Sequence, residues 1–149
     1  MVNLREKDIT KILKDFRERT NVLSSIIFSE DGLIIALDQA HLNEDEDYHI
    51  SFGAICAGIV ALAENGLETI NDDNNVKCIS IQAGDHLDNE GFIIILQSIT
   101  ENIKLSVIFP AFLNLGVINF ELKQTVYKLT EYFSSIEQNQ TFEGVNTLI

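Results

Sequence analysis

The sequence predicts an α/β domain of the α+β kind, a single five-stranded antiparallel sheet with helices on both faces. Three observations predict it. Five short β-rich runs and three helix-periodic stretches follow the order helix, hairpin, helix, three strands, helix. Asp31-Gly32 stands between two apolar runs, a hairpin signal, because Gly accepts the positive φ that such turns require. Phe92–Leu96, FIIIL, is apolar at every position, which suits a central strand covered on both faces.

The first helix opens at Asn3, with Glu6 completing a capping-box pattern. Ile9, Ile12, Leu13 and Phe16 then recur at helical spacing, and the helix ends near Arg19–Asn21. Leu23–Ser29 and Leu33–Asp38 form the hairpin, joined through Glu30-Asp31-Gly32. His41–Asp47, HLNEDED, is an acidic turn, and carboxylates just before a helix suit its dipole. Val76–Ala83, Phe92–Leu96 and Lys104–Pro110 are the remaining strands. Pro110 sits at a strand end, where a lost amide donor costs little. Leu115, Ile118, Leu122, Val126, Leu129, Phe133 and Ile136 recur at steps of three and four, the longest amphipathic helix. Glu137–Ile149 has little periodicity and reads as a loose or docked tail. No linker or repeat divides the chain, so one domain spans 1–136 and the tail 137–149.

The second helix, Ile50–Leu67, organises the rest. It carries no charge from Ile50 to Ala63, and Gly66 supplies a stop. At about 100° per residue it sorts by size. Phe52, Ile55, Ile59 and Leu62 form a bulky side, the expected core face. Gly53, Ala54, Ala57, Gly58 and Ala61 form a small side, suited to close contact with another backbone. Either this chain or a second one covers that side. The run reads as too short and Gly-rich for a membrane span of about 20 residues. The one-stripe first and last helices share one face of the sheet; the charge-free helix takes the other.

At 149 residues, 46% hydrophobic and 22% charged, the chain is long enough for one real core. A net charge of −13 opposes nucleic-acid backbones and anionic lipid surfaces as main partners. Cys56 and Cys78 lie in apolar segments without CxxC spacing and read as small buried hydrophobes. The charged N-terminus MVNLREKDITK does not read as a signal peptide, and none is expected. A soluble cytoplasmic protein is expected.

The chain has no GxGxxG and no Walker phosphate loop, nor GxSxG or HExxH. His41, His49 and His86 lack a zinc-ligand spacing. Asp85, His86, Asp88 and Glu90 crowd one loop but do not fit an EF-hand, and such residues serve turns anyway. No catalytic residue, metal ligand or cofactor is expected, and the chain does not read as an enzyme.

These phrases together resemble the Roadblock family, named after a dynein light chain. They are the first amphipathic helix, Asp31-Gly32-Leu33 leading into Ile34-Ile35-Ala36, the Ala/Gly-rich second helix, and Leu115-Gly116-Val117 opening the last helix. The resemblance covers roughly residues 3–136. It implies a profilin-like sheet of order 2-1-5-4-3, with helices 1 and 3 on one face and helix 2 on the other. It also implies dimers in which second helices pack side by side and third strands pair edge to edge. The interface would then use Gly53, Ala54, Ala57, Gly58 and Ala61, with Val76, Cys78 and Ser80 of the third strand. Members act as non-catalytic scaffolds or regulators of Ras-like small GTPases, or as adaptors. The expected partners are a second copy or a related Roadblock chain, and a Ras-like GTPase touching Glu44, Asp45, Glu46, Asp47 and His49. Two alternatives stay open. One is an adaptor subunit of a motor or signalling complex, working as a heterodimer. The other is a small-molecule sensor, with Ser80, Gln82, Gln97 and Ser106 facing a cavity.

Overall fold

The computed structural model describes residues 4–40, 47–71, 75–84 and 90–147, with side chains over 7–40, 49–71, 75–84 and 90–136. The elements are α1 (Leu4–Thr20), β1 (Ser24–Ser29), β2 (Ile34–Gln39), α2 (Asp47–Glu68), β3 (Cys78–Ala83), β4 (Phe92–Ser98), β5 (Ile103–Pro110) and α3 (Leu115–Thr147). The strands pair antiparallel in the order β2-β1-β5-β4-β3, as the resemblance implied.

Local chemistry sets the boundaries. Asn21 takes the left-handed conformation (φ 63°), and its N–H donates to Arg17 O at 2.7 Å, closing α1. At the hairpin, Gly32 has φ 86°, and its N–H donates to Ser29 O at 2.9 Å. Asn114 caps α3, its Oδ1 accepting from Gly116 N at 2.9 Å and Val117 N at 3.3 Å. The Asn3 cap and the Asp85–Asp88 part of the acidic loop lie outside the described residues.

The sheet separates two cores. Under α1 and α3 lie Leu13, Phe16, Ile27, Leu105, Val107 and Leu129. Under α2 lie Ile26, Phe28, Cys56, Val60 and Leu96. Adjacent strand residues point to opposite faces, so Ile26 and Ile27 feed both layers from β1. Arg17 ties α1 to β2, its Nε donating to Asp38 Oδ2 at 2.7 Å and its Nη2 to Oδ1 at 3.4 Å.

Two expectations need correction. β4 is an interior strand, between β5 and the edge strand β3, but only Ile95 and Leu96 of its FIIIL run are buried, so it is not covered on both faces along its length. Continuous hydrophobicity there reflects cover at one end of the strand, while Phe92 at the other end stays half exposed. Second, α3 continues to Thr147, well past Ile136. Glu137, Gln138 and Gln140 are good helix formers that can prolong a helix without an apolar stripe. At about 1.5 Å per residue α3 is roughly 50 Å long, about twice the longest strand.

Candidate interaction surface on helix α2 and strand β3

The face of α2 that meets the sheet carries His49, Gly53, Cys56, Ala57 and Val60, all buried. The residues that pack there are small because the β1–β2 turn lies directly against the helix. A Cβ built on Gly32 would stand 2.9 Å from the Ala54 Cα, and one on Gly53 would stand 3.1 Å from Gly32 O. The backbone that rests on this part of the small side is therefore the chain's own hairpin.

This reverses half of the expected division. Ile55 and Leu62, expected in the core, are 58% and 72% exposed, and Ile50 is 66% exposed. Phe52 and Ile59 keep the expected side only in part, half-buried. Of the expected interface residues, Gly53 and Ala57 belong to the monomer core, whereas Ala54, Gly58 and Ala61 are exposed. The helix turns its narrow side to the sheet because a bulky one would collide with Gly32. It thereby leaves a solvent flank of Ile50, Ala54, Ile55, Gly58, Ala61 and Leu62, without a charge.

The sheet adds to this flank. Five strands at about 4.8 Å spacing make a face roughly 24 Å wide, and one helix covers about 10 Å of it. That helix packs on β1 and β2. On the β4–β3 side of the same face, Ile79, Ile81 and Ile94 are therefore only half-buried. Beyond them β3 pairs with β4 alone, and its outer edge has no strand beside it among the described residues. An uncovered edge offers a row of backbone donors and acceptors. Val76, just before β3, is half-buried; Cys78 and Ser80 are exposed on the opposite face of the sheet from α2.

Cys78 is thus not the buried hydrophobe expected, because β3 is an edge strand. Cys56 is; burial pushes its thiol up, with the Ser106 hydroxyl 4.0 Å away partly offsetting the effect. A neutral buried thiol is a packing residue rather than a nucleophile. His49 is 1% exposed, buried on the sheet side of α2, so it cannot serve the contact expected of it. Its spacing of four from Gly53 puts it on the inner face. Asp47 begins α2; Glu44, Asp45 and Glu46 lie outside the described residues. Among the described residues no group of His, Cys, Asp or Glu could hold a metal ion. The stretch His49–Glu68, mean hydropathy 1.6, is long and apolar enough to cross a membrane by length and composition. Length therefore does not exclude a span, contrary to the expectation drawn from the shorter run. The packing of Gly53, Cys56, Ala57 and Val60 on the sheet is that of a core helix with one open side.

The sequence profile of the Roadblock/LC7 domain matches residues 8–98, from α1 through β4. The chain belongs to the Roadblock/LC7 domain family. Solved structures share the fold of this Roadblock domain. MglB of Myxococcus xanthus has a TM-score of 0.75 at 19% identity, covering 91% of this chain and 94% of its own. MglB in a tetrameric arrangement has a TM-score of 0.75 at 11% identity, covering 89% and 92%. A Roadblock/LC7 domain from Streptomyces avermitilis has a TM-score of 0.71 at 15% identity, covering 84% and 97%. A search of curated proteins finds no match.

Proposed function

We propose that this Roadblock domain is a non-catalytic cytoplasmic module that pairs with a second copy of itself and regulates a Ras-like small GTPase. The observation that carries the pairing is the uncharged, exposed flank of α2 beside the uncovered Ile79, Ile81 and Ile94. A second α2 laid against the first covers both flanks at once, and the β3 edges can extend one sheet into the other. The exposed large side chains Ile50, Ile55 and Leu62 then supply most of the buried apolar area. Ala54, Gly58 and Ala61 let the two backbones approach. The tetrameric arrangement of MglB, a protein of the same fold, supports self-association as a habit of this architecture.

The GTPase reading rests on family membership. Its contact surface would be the rim of α2 together with the acidic residues Glu44–Asp47, without His49. The tail 137–149 is proposed as an extension beyond the core module rather than part of it.

Light scattering over a dilution series tests the pairing. A stable mass near twice 16.7 kDa is expected; a monomer at all concentrations rejects self-pairing and turns the search to a related Roadblock chain. The immobilised dimer should then retain a Ras-like GTPase in a nucleotide-dependent way. Retention that is equal with GDP and with a non-hydrolysable GTP analogue would reject a role in the nucleotide cycle.

A further inference from the structure

The other face of the sheet is also incompletely covered, at the same end. There α1 packs on β2 and on α3, so the helix pair is displaced away from β3. Two helices cover roughly 20 Å of a face about 24 Å wide. About one strand is left bare. A groove results between α3 and the β3–β4 side of the sheet, with a volume near 570 Å³, within the roughly 300–1,000 Å³ of small-molecule sites.

We propose that this groove binds a small amphipathic organic anion, a carboxylate carried on an alkyl or aryl body. Its floor is apolar, formed by Ile95 of β4 with Leu122 and Val126 of α3. Its lining includes two lysines, Lys77 and Lys123, and no carboxylate among the described residues. That composition stands out in a chain with 23 acidic and 10 basic residues. Neither lysine makes a salt bridge among the described residues.

The polar wall separates into spent and available donors. The Gln97 amide already donates to Lys77 O at 3.2 Å and Ser98 O at 3.4 Å. The Thr130 hydroxyl donates to Val126 O at 2.7 Å. Asn119 has no hydrogen bond among the described residues. The Tyr127 hydroxyl, also on the lining, is engaged by Glu131, so the main donors left for a ligand are the two ammonium groups and the Asn119 amide, all suited to a carboxylate. A neutral ligand would lack the charge that complements the two ammonium groups, and a cationic one would be repelled by them. The groove lies opposite α2 and does not involve the α2 flank proposed to pair above, although Lys77 and Cys78 border it at the β3 edge.

The test is titration of the full chain with phenylbutyrate and with octanoate, followed by amide NMR shifts. Saturable shifts are expected at Ile95, Gln97, Asn119 and Val126 with at least one of the two. Phenylbutyramide, the neutral twin, should bind about fivefold more weakly or worse, the scale of one exposed ion pair. Lys77→Gln and Lys123→Gln should each weaken carboxylate binding by a similar factor, both being exposed positions that leave the fold intact. Lys14→Gln, exposed on α1, should leave it unchanged. No saturable shift with either acid at millimolar concentration overturns the proposal. So do shifts centred on Ile55 and Leu62 of α2, or equal binding of acid and amide.

Discussion

Gly32 joins two constraints in one residue. Its φ of 86° lies in the left-handed region, and a Cβ there would press on the Ala54 Cα from 2.9 Å. The left-handed conformation alone costs a side chain about 1–2 kcal/mol. The steric conflict with helix backbone adds to it, because neither the turn nor α2 can yield independently. Gly32→Ala is expected to lower stability by at least about 2 kcal/mol. Urea unfolding checks it: a midpoint close to wild type would show that the hairpin does not rest on α2. The turn itself was legible from Asp31-Gly32, but the second constraint was not, because Ala54 is twenty-two residues further on. His49 shows the same limit. Its neighbours Glu44–Asp47 suggested a solvated contact, and only the packed helix reveals that it points inward.

At the scale of the element, α2 can be read with certainty as a helix and only ambiguously as a surface. It is apolar nearly all round, so its periodicity does not say which side is the core. Bulk suggested Ile55 and Leu62; the sheet took Gly53, Cys56, Ala57 and Val60 instead. The consequence is a pair of substitutions with opposite expected outcomes. Ala57→Arg places an unpaired charge in the core and should unfold the chain or destabilise it by several kcal/mol. Ala61→Arg, on the exposed flank, should leave the circular dichroism and unfolding of the isolated chain nearly unchanged while abolishing self-association. A folded, still dimeric Ala61→Arg protein would show that α2 is not the interface. β4 carries a related lesson. An all-apolar strand reads as covered on both faces, yet two-sided cover is decided by how far the helices reach.

At the scale of the molecule, charge and shape act against each other. Each copy carries −13, so two copies repel at long range while the uncharged α2 flanks attract at contact. Salt screens the first effect and leaves the second, since the Debye length falls from about 30 Å at 0.01 M to about 8 Å at 0.15 M. Dimerisation should therefore tighten as salt is raised across that range, measured by sedimentation at fixed protein concentration. Loosening with salt would mean that ion pairs, rather than the apolar flank, hold the copies together.

Eight elements, their order, the hairpin at Gly32 and the lack of GxGxxG, Walker, GxSxG, HExxH and zinc-ligand spacings are legible in the residues alone. These depend on residues near one another in the chain: alternation, helical spacing, turn chemistry and short motifs. The strand order followed from the joint resemblance of local phrases to the Roadblock family. Which surfaces remain uncovered is set by the tertiary packing. Whether Ile55 faces water, whether Cys78 is buried, and whether a groove opens beside Lys77 and Lys123 depend on how widths add. One helix lies on one face of a five-stranded sheet, a displaced pair lies on the other, and both leave the β3 side bare.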